Sequence, residues 1–134
     1  MNLSRKFLGI DYGTKRIGVA VSDENGQLAF PKEIIQNNTN TFTRLEKIIK
    51  KENVGGLVVG ESVDFSGKLN SLSSHIEVFI KELAERFDIP VRKQKEFLTT
   101  VEARRYTGLK HADAAAAALI LQRYLDKMNL SRAE

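Results

Sequence analysis

The sequence predicts an α/β fold: a five-stranded mixed sheet with helices on both faces, in the order β-β-β-α-β-α-β-α. Three observations carry this expectation. Short apolar runs bounded by turn residues recur at residues 7–11, 16–22, 27–36, 55–60 and 90–97. Between the later runs the apolar spacing changes to the helical period. Short turns join the first three strands, whereas helices lead to the last two, so an antiparallel meander gives way to right-handed crossovers.

Each element has its own signal. Phe7, Leu8 and Ile10 form a strand ending at Asp11, and Tyr12-Gly13-Thr14-Lys15 turns the chain into a Val/Ile-rich strand from Arg16 to Ser22. Asn25-Gly26 is a hairpin signal, so Gln27 to Gln36 returns antiparallel. Pro31 cannot donate to a ladder and makes that third strand an edge. From Asn40, Phe42, Leu45, Ile48 and Ile49 share one helical face until Asn53. Gly55 to Gly60 is continuously apolar, which suits a strand buried in a parallel sheet. After a polar loop to about Asn70, a helix carries Ile76, Phe79, Ile80, Leu83 and Phe87 on one stripe. Pro90 to Phe97 is the fifth strand, and Thr99 to Glu102 has capping-box spacing for a short helix broken at Gly108. Ala112 to Lys127 forms the last helix.

A chain of 134 residues is expected to be one domain, residues 1–134. Its 42% hydrophobic and 28% charged residues are those of an ordinary globular protein, and its net charge of +4 tilts it mildly toward polyanionic partners. With no cysteine there is no disulfide framework, thiolate zinc site or cysteine nucleophile. Two histidines, His75 and His111, exclude a zinc site built of several imidazoles. Any metal would therefore rest on carboxylates, the ligands of hard cations such as Mg²⁺ or Mn²⁺. The longest apolar run, Ala114 to Leu121, is too short to span a bilayer, and no signal peptide is visible, so a cytoplasmic location without membrane partners is expected.

Carboxylates mark the candidate site. Asp11, at the end of the first strand and just before Gly13-Thr14, either bonds its own turn or holds a carboxylate beside main-chain N–H groups that can approach phosphate. Asp113 heads the stripe Ala116, Ala117, Ile120, Leu121 and Tyr124. It is either a first-turn partner of the helix dipole or part of a site at the sheet edge. Ala114 to Ala118 would let that helix pack closely. Glu61 and Glu96 end the fourth and fifth strands. If strands one, four and five are parallel neighbours, Asp11, Glu61 and Glu96 emerge at one edge, where open α/β sheets bind ligands. Such a cluster calls for divalent cations, which could activate water against a phosphodiester. Lys15, Arg16, Arg104, Arg105 and Lys110 flank these acids and are candidates for holding a nucleic-acid strand. Residues 86–110 hold seven Lys and Arg against three acids, a basic rim beside the acidic centre. Gly60 to Lys68 resembles a phosphate loop only in composition: Ser62 and Leu69 stand where Gly and Ser/Thr are required.

Leu8-Gly9-Ile10-Asp11-Tyr12-Gly13-Thr14-Lys15-Arg16-Ile17-Gly18-Val19-Ala20 closely resembles the opening motif of the YqgF (RuvX) family. Leu57-Val58-Val59-Gly60, Leu98 to Ala103, and Asp113-Ala114-Ala115-Ala116 leading to Ile120-Leu121-Gln122 match further family motifs in order. The resemblance implies a ribonuclease H-like fold related to RuvC-type Holliday junction resolvases, and a nuclease acting in pre-16S rRNA maturation. The family's acidic positions fall on Asp11, Glu96 and Asp113, implied ligands of Mg²⁺ or Mn²⁺. The chain departs from the family in having Lys95-Glu96-Phe97 for Asp-Glu-Arg and Glu61-Ser62 for Leu-Pro. RuvC-type enzymes carry an acid at the latter strand end, which makes Glu61 a candidate further ligand.

The leading expectation is a metal-dependent nuclease on structured nucleic acid, an rRNA precursor by preference and branched DNA as the alternative substrate, with ribosomal assembly intermediates as partners. A non-catalytic RNA-binding module of the same fold is the competing class, motivated by Lys95 and Phe97. The opening motif is also similar to that of sugar kinases and actin-like ATPases, which close two such domains around ATP.

Overall fold

The computed structural model describes residues 4–63, 73–97 and 113–133. Five strands, β1 (Phe7–Tyr12), β2 (Arg16–Ser22), β3 (Ala29–Gln36), β4 (Gly56–Val63) and β5 (Val91–Phe97), form one sheet in the order β3-β2-β1-β4-β5. The helices are α1 (Thr41–Glu52), α2 (Ser73–Arg86) and α3 (Ala114–Ala133). β1 is antiparallel to β2, and β2 to β3, whereas β1, β4 and β5 run parallel, as the element order implies. The expected short helix at 99–108 lies outside the described residues.

The pleat divides the core in two. Leu8 and Ile10 of β1, Ile17 and Val19 of β2, Ile35 of β3, and Leu57 and Val59 of β4 face α1 and α2, packing on Leu45, Ile48, Ile76, Phe79 and Leu83. Ala20 and Val58 face the other way, against Ala117, Ile120, Leu121 and Leu125 of α3. Strand β4 is thus buried on both sides, which explains its unbroken apolar run.

Pro31 stands on the edge strand opposite Ala20, where the register shifts after Val19 and leaves Lys32 as the extra residue of a bulge. The β2–β3 connection is longer than a two-residue Asn25-Gly26 turn. Asp23 accepts hydrogen bonds at Oδ1 from the Gln27 and Leu28 main-chain N–H groups (2.7 and 3.1 Å), which pins both in a loop. Those bonds also hold the Asp23 carboxyl below its ordinary range. Gly26 supplies the loop's positive φ of 66°. Helix α1 ends as expected, with Asn53 in the left-handed conformation. Helix α3 runs six residues beyond the expected Lys127, because Met128 to Ala133 contains neither Gly nor Pro to stop it.

Helix α3 lies close to the sheet because glycines face it. A Cβ on Gly9 would stand 2.8 Å from the Ala117 carbonyl oxygen and 2.7 Å from Leu121 Cβ. One on Gly18 would collide with the Asp113 main chain, and one on Gly60 with the tip of the Ile120 side chain. Backbone cannot swing aside as a side-chain terminus can. Gly18→Ala is therefore expected to lose about 1–3 kcal/mol or more in urea unfolding, and Gly60→Ala less than ~1 kcal/mol. Equal losses would contradict this packing.

Candidate functional site

The site forms where the first turn of α3 meets the carboxyl end of β1. Asp11 is 4% exposed, on the α3 face of β1 and directly opposite Gly18 in the β1–β2 register. A buried carboxylate needs strong partners. Asp113 supplies one, its main-chain N–H donating to Asp11 Oδ2 at 3.1 Å. The bare Cα of Gly18 leaves room for that approach. Asp113 is itself the cap of α3: its Oδ1 accepts the Ala116 N–H at 2.6 Å, and its carbonyl oxygen accepts the Ala117 N–H at 3.1 Å. The capping residue thus also touches the strand-end carboxylate. The positive end of the helix dipole favours negative charge at both positions.

Glu96 has a defined place but no described side chain. It pairs with Ser62 in the β4–β5 register, two residues beyond the Gly60–Gln94 pair. Gly60 lies under Ile120 of α3, so strand alternation puts position 96 on the α3 face, toward the carboxyl edge.

Glu61 departs from the expected cluster. Alternation in β4 sets Leu57, Val59 and position 61 on the α1/α2 face, away from Asp11. There Glu61 is 5% exposed, and Lys93 Nζ lies 3.7 Å from its Oε2 and 2.7 Å from Glu77 Oε1. The bond to Glu77 raises the Lys93 pKa, and the Lys93 ammonium lowers that of Glu77. This triad joins β4 and β5 to α2. It also takes Lys93 out of the expected basic rim, and Arg86 lies over the Phe42 ring, 4.4 Å from its centroid. Lys15, on the β1–β2 connection, and Arg16, the first residue of β2, are exposed at the Asp11 end of the sheet. Arg104, Arg105 and Lys110 lie outside the described residues.

Two features escaped the sequence reading. Gly18 was signalled only as a glycine inside a strand, a mark of close approach. Gln94 is 8% exposed, and its Oε1 has no hydrogen-bond partner among the described residues.

The donor chemistry suits a hard cation. Asp11 and Asp113 offer carboxylate oxygens oriented by main-chain bonds, the donor type that hard cations take. Among the described residues no group of three His, Cys, Asp or Glu that could hold a metal ion is assembled. No described helix is long and apolar enough to cross a membrane.

Removing the cap should separate its two roles. Asp113→Ala is expected to cost about 0.5–2 kcal/mol of stability. Asp113→Asn keeps an oxygen for the Ala116 N–H and should lose a smaller amount, measured as urea midpoints at one pH. Equal losses would show that the cap bond does not hold this end of α3.

Comparison with known proteins places these observations. A relative from Pelagibacter ubique is 36% identical over 135 residues, covering 92% of this chain and 89% of its own length. One from Thermoanaerobacter pseudethanolicus is 37% identical over 133 residues, covering 90% and 96%. Both bear the name "Putative pre-16S rRNA nuclease". In three dimensions, Thermus thermophilus RuvC, solved with a Holliday junction substrate, aligns over 92% of this chain and 95% of its own, with TM-score 0.52 and 15% identity. The fowlpox virus resolvase, solved with Holliday junction DNA, gives TM-score 0.51 at 14% identity, over 92% of this chain and 98% of its own. These two likenesses establish a RuvC-like, ribonuclease H-type fold. The family model described as RuvX, Holliday junction resolvase, matches residues 5–127, and the chain belongs to that family.

Proposed function

We propose that this protein is a divalent-metal-dependent nuclease that hydrolyses phosphodiester bonds in structured RNA, with the 16S rRNA precursor as its substrate. The observation that carries the reading is the Asp11–Asp113 contact, two acids joined through a main-chain bond at the edge of parallel strands, in a member of this family. The names of its relatives favour the RNA precursor over branched DNA.

In this reading Asp11, Asp113 and Glu96 hold Mg²⁺ or Mn²⁺. Bound there, such a cation would supply Lewis acidity toward a phosphodiester and lower the pKa of its water. The protein's part is positioning. Burial and the Asp113 N–H fix the Asp11 carboxylate, the helix cap fixes that of Asp113, and Lys15 and Arg16 meet the phosphates on either side. Arg104, Arg105 and Lys110 are further candidates for phosphate contact from the sequence alone. Glu61, paired with Lys93 on the other face, takes no part. The place of action is the cytoplasm, on ribosomal assembly intermediates.

A non-catalytic RNA-binding module is the second reading, favoured by Lys95-Glu96-Phe97 standing where the family carries Asp-Glu-Arg. One assay separates them. Purified protein is incubated with a precursor 16S rRNA fragment, or with a four-way DNA junction, across a series of Mg²⁺ and Mn²⁺ concentrations. Cleavage of the RNA is expected, and Asp11→Asn should lower its rate ~100-fold or more, the scale of a few kcal/mol of transition-state stabilisation. That variant keeps an oxygen for the Asp113 N–H, so its circular dichroism should match the parent's. Glu61→Gln should cleave within about threefold of the parent, since each 1.36 kcal/mol is tenfold and no such contribution is assigned to it. RNA binding without turnover at any cation concentration would establish the second reading, and cleavage of the junction alone would reassign the substrate to DNA.

A further inference from the structure

We propose that the cleft between edge strand β3 and helix α1 is a second binding surface for the substrate's phosphate backbone, distinct from the carboxylate site. Its ligand, though not its geometry, rests on the nucleic-acid reading above.

The cleft has a volume of about 310 Å³ and is lined by Lys32, Glu33, Arg44, Lys47, Ile48 and Lys51. Arg44, Lys47 and Lys51 recur at i, i+3 and i+7, which puts them on one stripe of α1 above the buried Ile48. At 1.5 Å per residue the stripe is ~10 Å long. The acids around it are already engaged. Glu52 Oε1 and Oε2 accept hydrogen bonds from Lys6 and Lys32 at 2.8 and 3.1 Å, and Glu33 Oε2 accepts one from Arg44 at 2.9 Å. The two lysines hold the Glu52 carboxyl below its ordinary range. These pairs fix Lys32 and Arg44 along the walls, while Lys47 and Lys51 have no acidic partner within 4.0 Å among the described residues. The cleft therefore offers two lysines without an acidic partner among the described residues, Lys47 and Lys51, in line with the Glu33-paired Arg44, over a floor whose one apolar side chain is buried. That complements a chain of phosphates.

Its position suits a continuous track. Helix α1 covers the face opposite α3, and its first turn is tied to the loop that carries Lys15. Asn37 donates its main-chain N–H to the Lys15 carbonyl and its side-chain amide to the Gly13 carbonyl, both at 2.9 Å, and Thr41 Oγ1 donates to the Gln36 carbonyl at 3.2 Å. A strand leaving the Asp11 end past Lys15 and Arg16 would thus reach α1 and run down the open edge of β3.

The test is the salt dependence of binding to a precursor 16S rRNA fragment, read by fluorescence anisotropy for the parent, a Lys47→Gln/Lys51→Gln variant and Lys50→Gln. Glutamine preserves helix propensity, and circular dichroism checks the fold. Losing two phosphate contacts should reduce the log–log salt slope by about 1.4–1.8 and weaken binding at physiological salt. Lys50, 3.5 Å from Glu46 and outside the cleft, should leave the slope unchanged. An unchanged slope in the double variant, or an equal fall for Lys50→Gln, overturns the proposal. Cleavage followed on the same samples keeps the two readings apart. A parent that binds RNA with the expected slopes but never cleaves it contradicts the nuclease and supports the cleft. A parent that cleaves while the double variant keeps its slope contradicts the cleft alone, and leaves an acidic protein segment as the partner of that surface.

Discussion

The hydrogen bond from the Asp113 main chain to Asp11 can form only because β2 has no side chain at Gly18. That one absence lets the end of α3 descend onto the sheet. From there the same closeness continues along the helix, with Ala117 and Leu121 over Gly9 and Ile120 over Gly60. The contact also settles the electrostatics of the strand end. A carboxylate buried to 4% exposure would be costly alone, but here it meets an N–H at the positive end of a 20-residue helix. Since hydrogen bonds to charged groups contribute about 1.5–3 kcal/mol each, fold stability and site geometry depend on the same atoms.

The sheet separates its charges by face. On the α3 side the carboxylates of Asp11 and Asp113 accept hydrogen bonds from backbone donors. On the α2 side Glu61 and Glu77 share Lys93, so buried negative charge there is matched by a side-chain cation and serves packing. At a third place, along α1 beside the edge strand, Lys47 and Lys51 line a cleft without an acidic partner among the described residues. Acid centre, structural triad and basic track are thus distinct surfaces of one small sheet, each reached by a different pleat or edge.

Much of this was legible in the sequence, and the parts that were not share a cause. The antiparallel meander and the helical crossovers followed from where turns and helices fall, and Pro31 correctly marked an edge. Asp11 and Asp113 stood out because each ends or begins an element with a clear boundary. Glu61 was misplaced because Leu57-Val58-Val59 is apolar on both faces. Without alternation, the run carries no parity from which to read the side of position 61. The Asn25-Gly26 signal was real but incomplete, since the Asp23 carboxylate, two residues upstream, captures the amides that would have continued the ladder. Gly18 could be seen as a strand glycine, yet its purpose depends on a helix almost a hundred residues later in the chain.

The central claim is that Asp11 and Asp113 form the cation-holding end of the α3 face, and paramagnetic broadening by Mn²⁺ tests it without relying on activity. In ¹⁵N-labelled protein titrated with substoichiometric Mn²⁺, the amide signals of Tyr12, Gly18 and Ala114 should vanish first, while those of Ile76 and Lys93 persist. Asp11→Asn should abolish that selectivity. Preferential loss of the Ile76, Glu77 and Lys93 signals would put the cation at the Glu61 face and contradict the account.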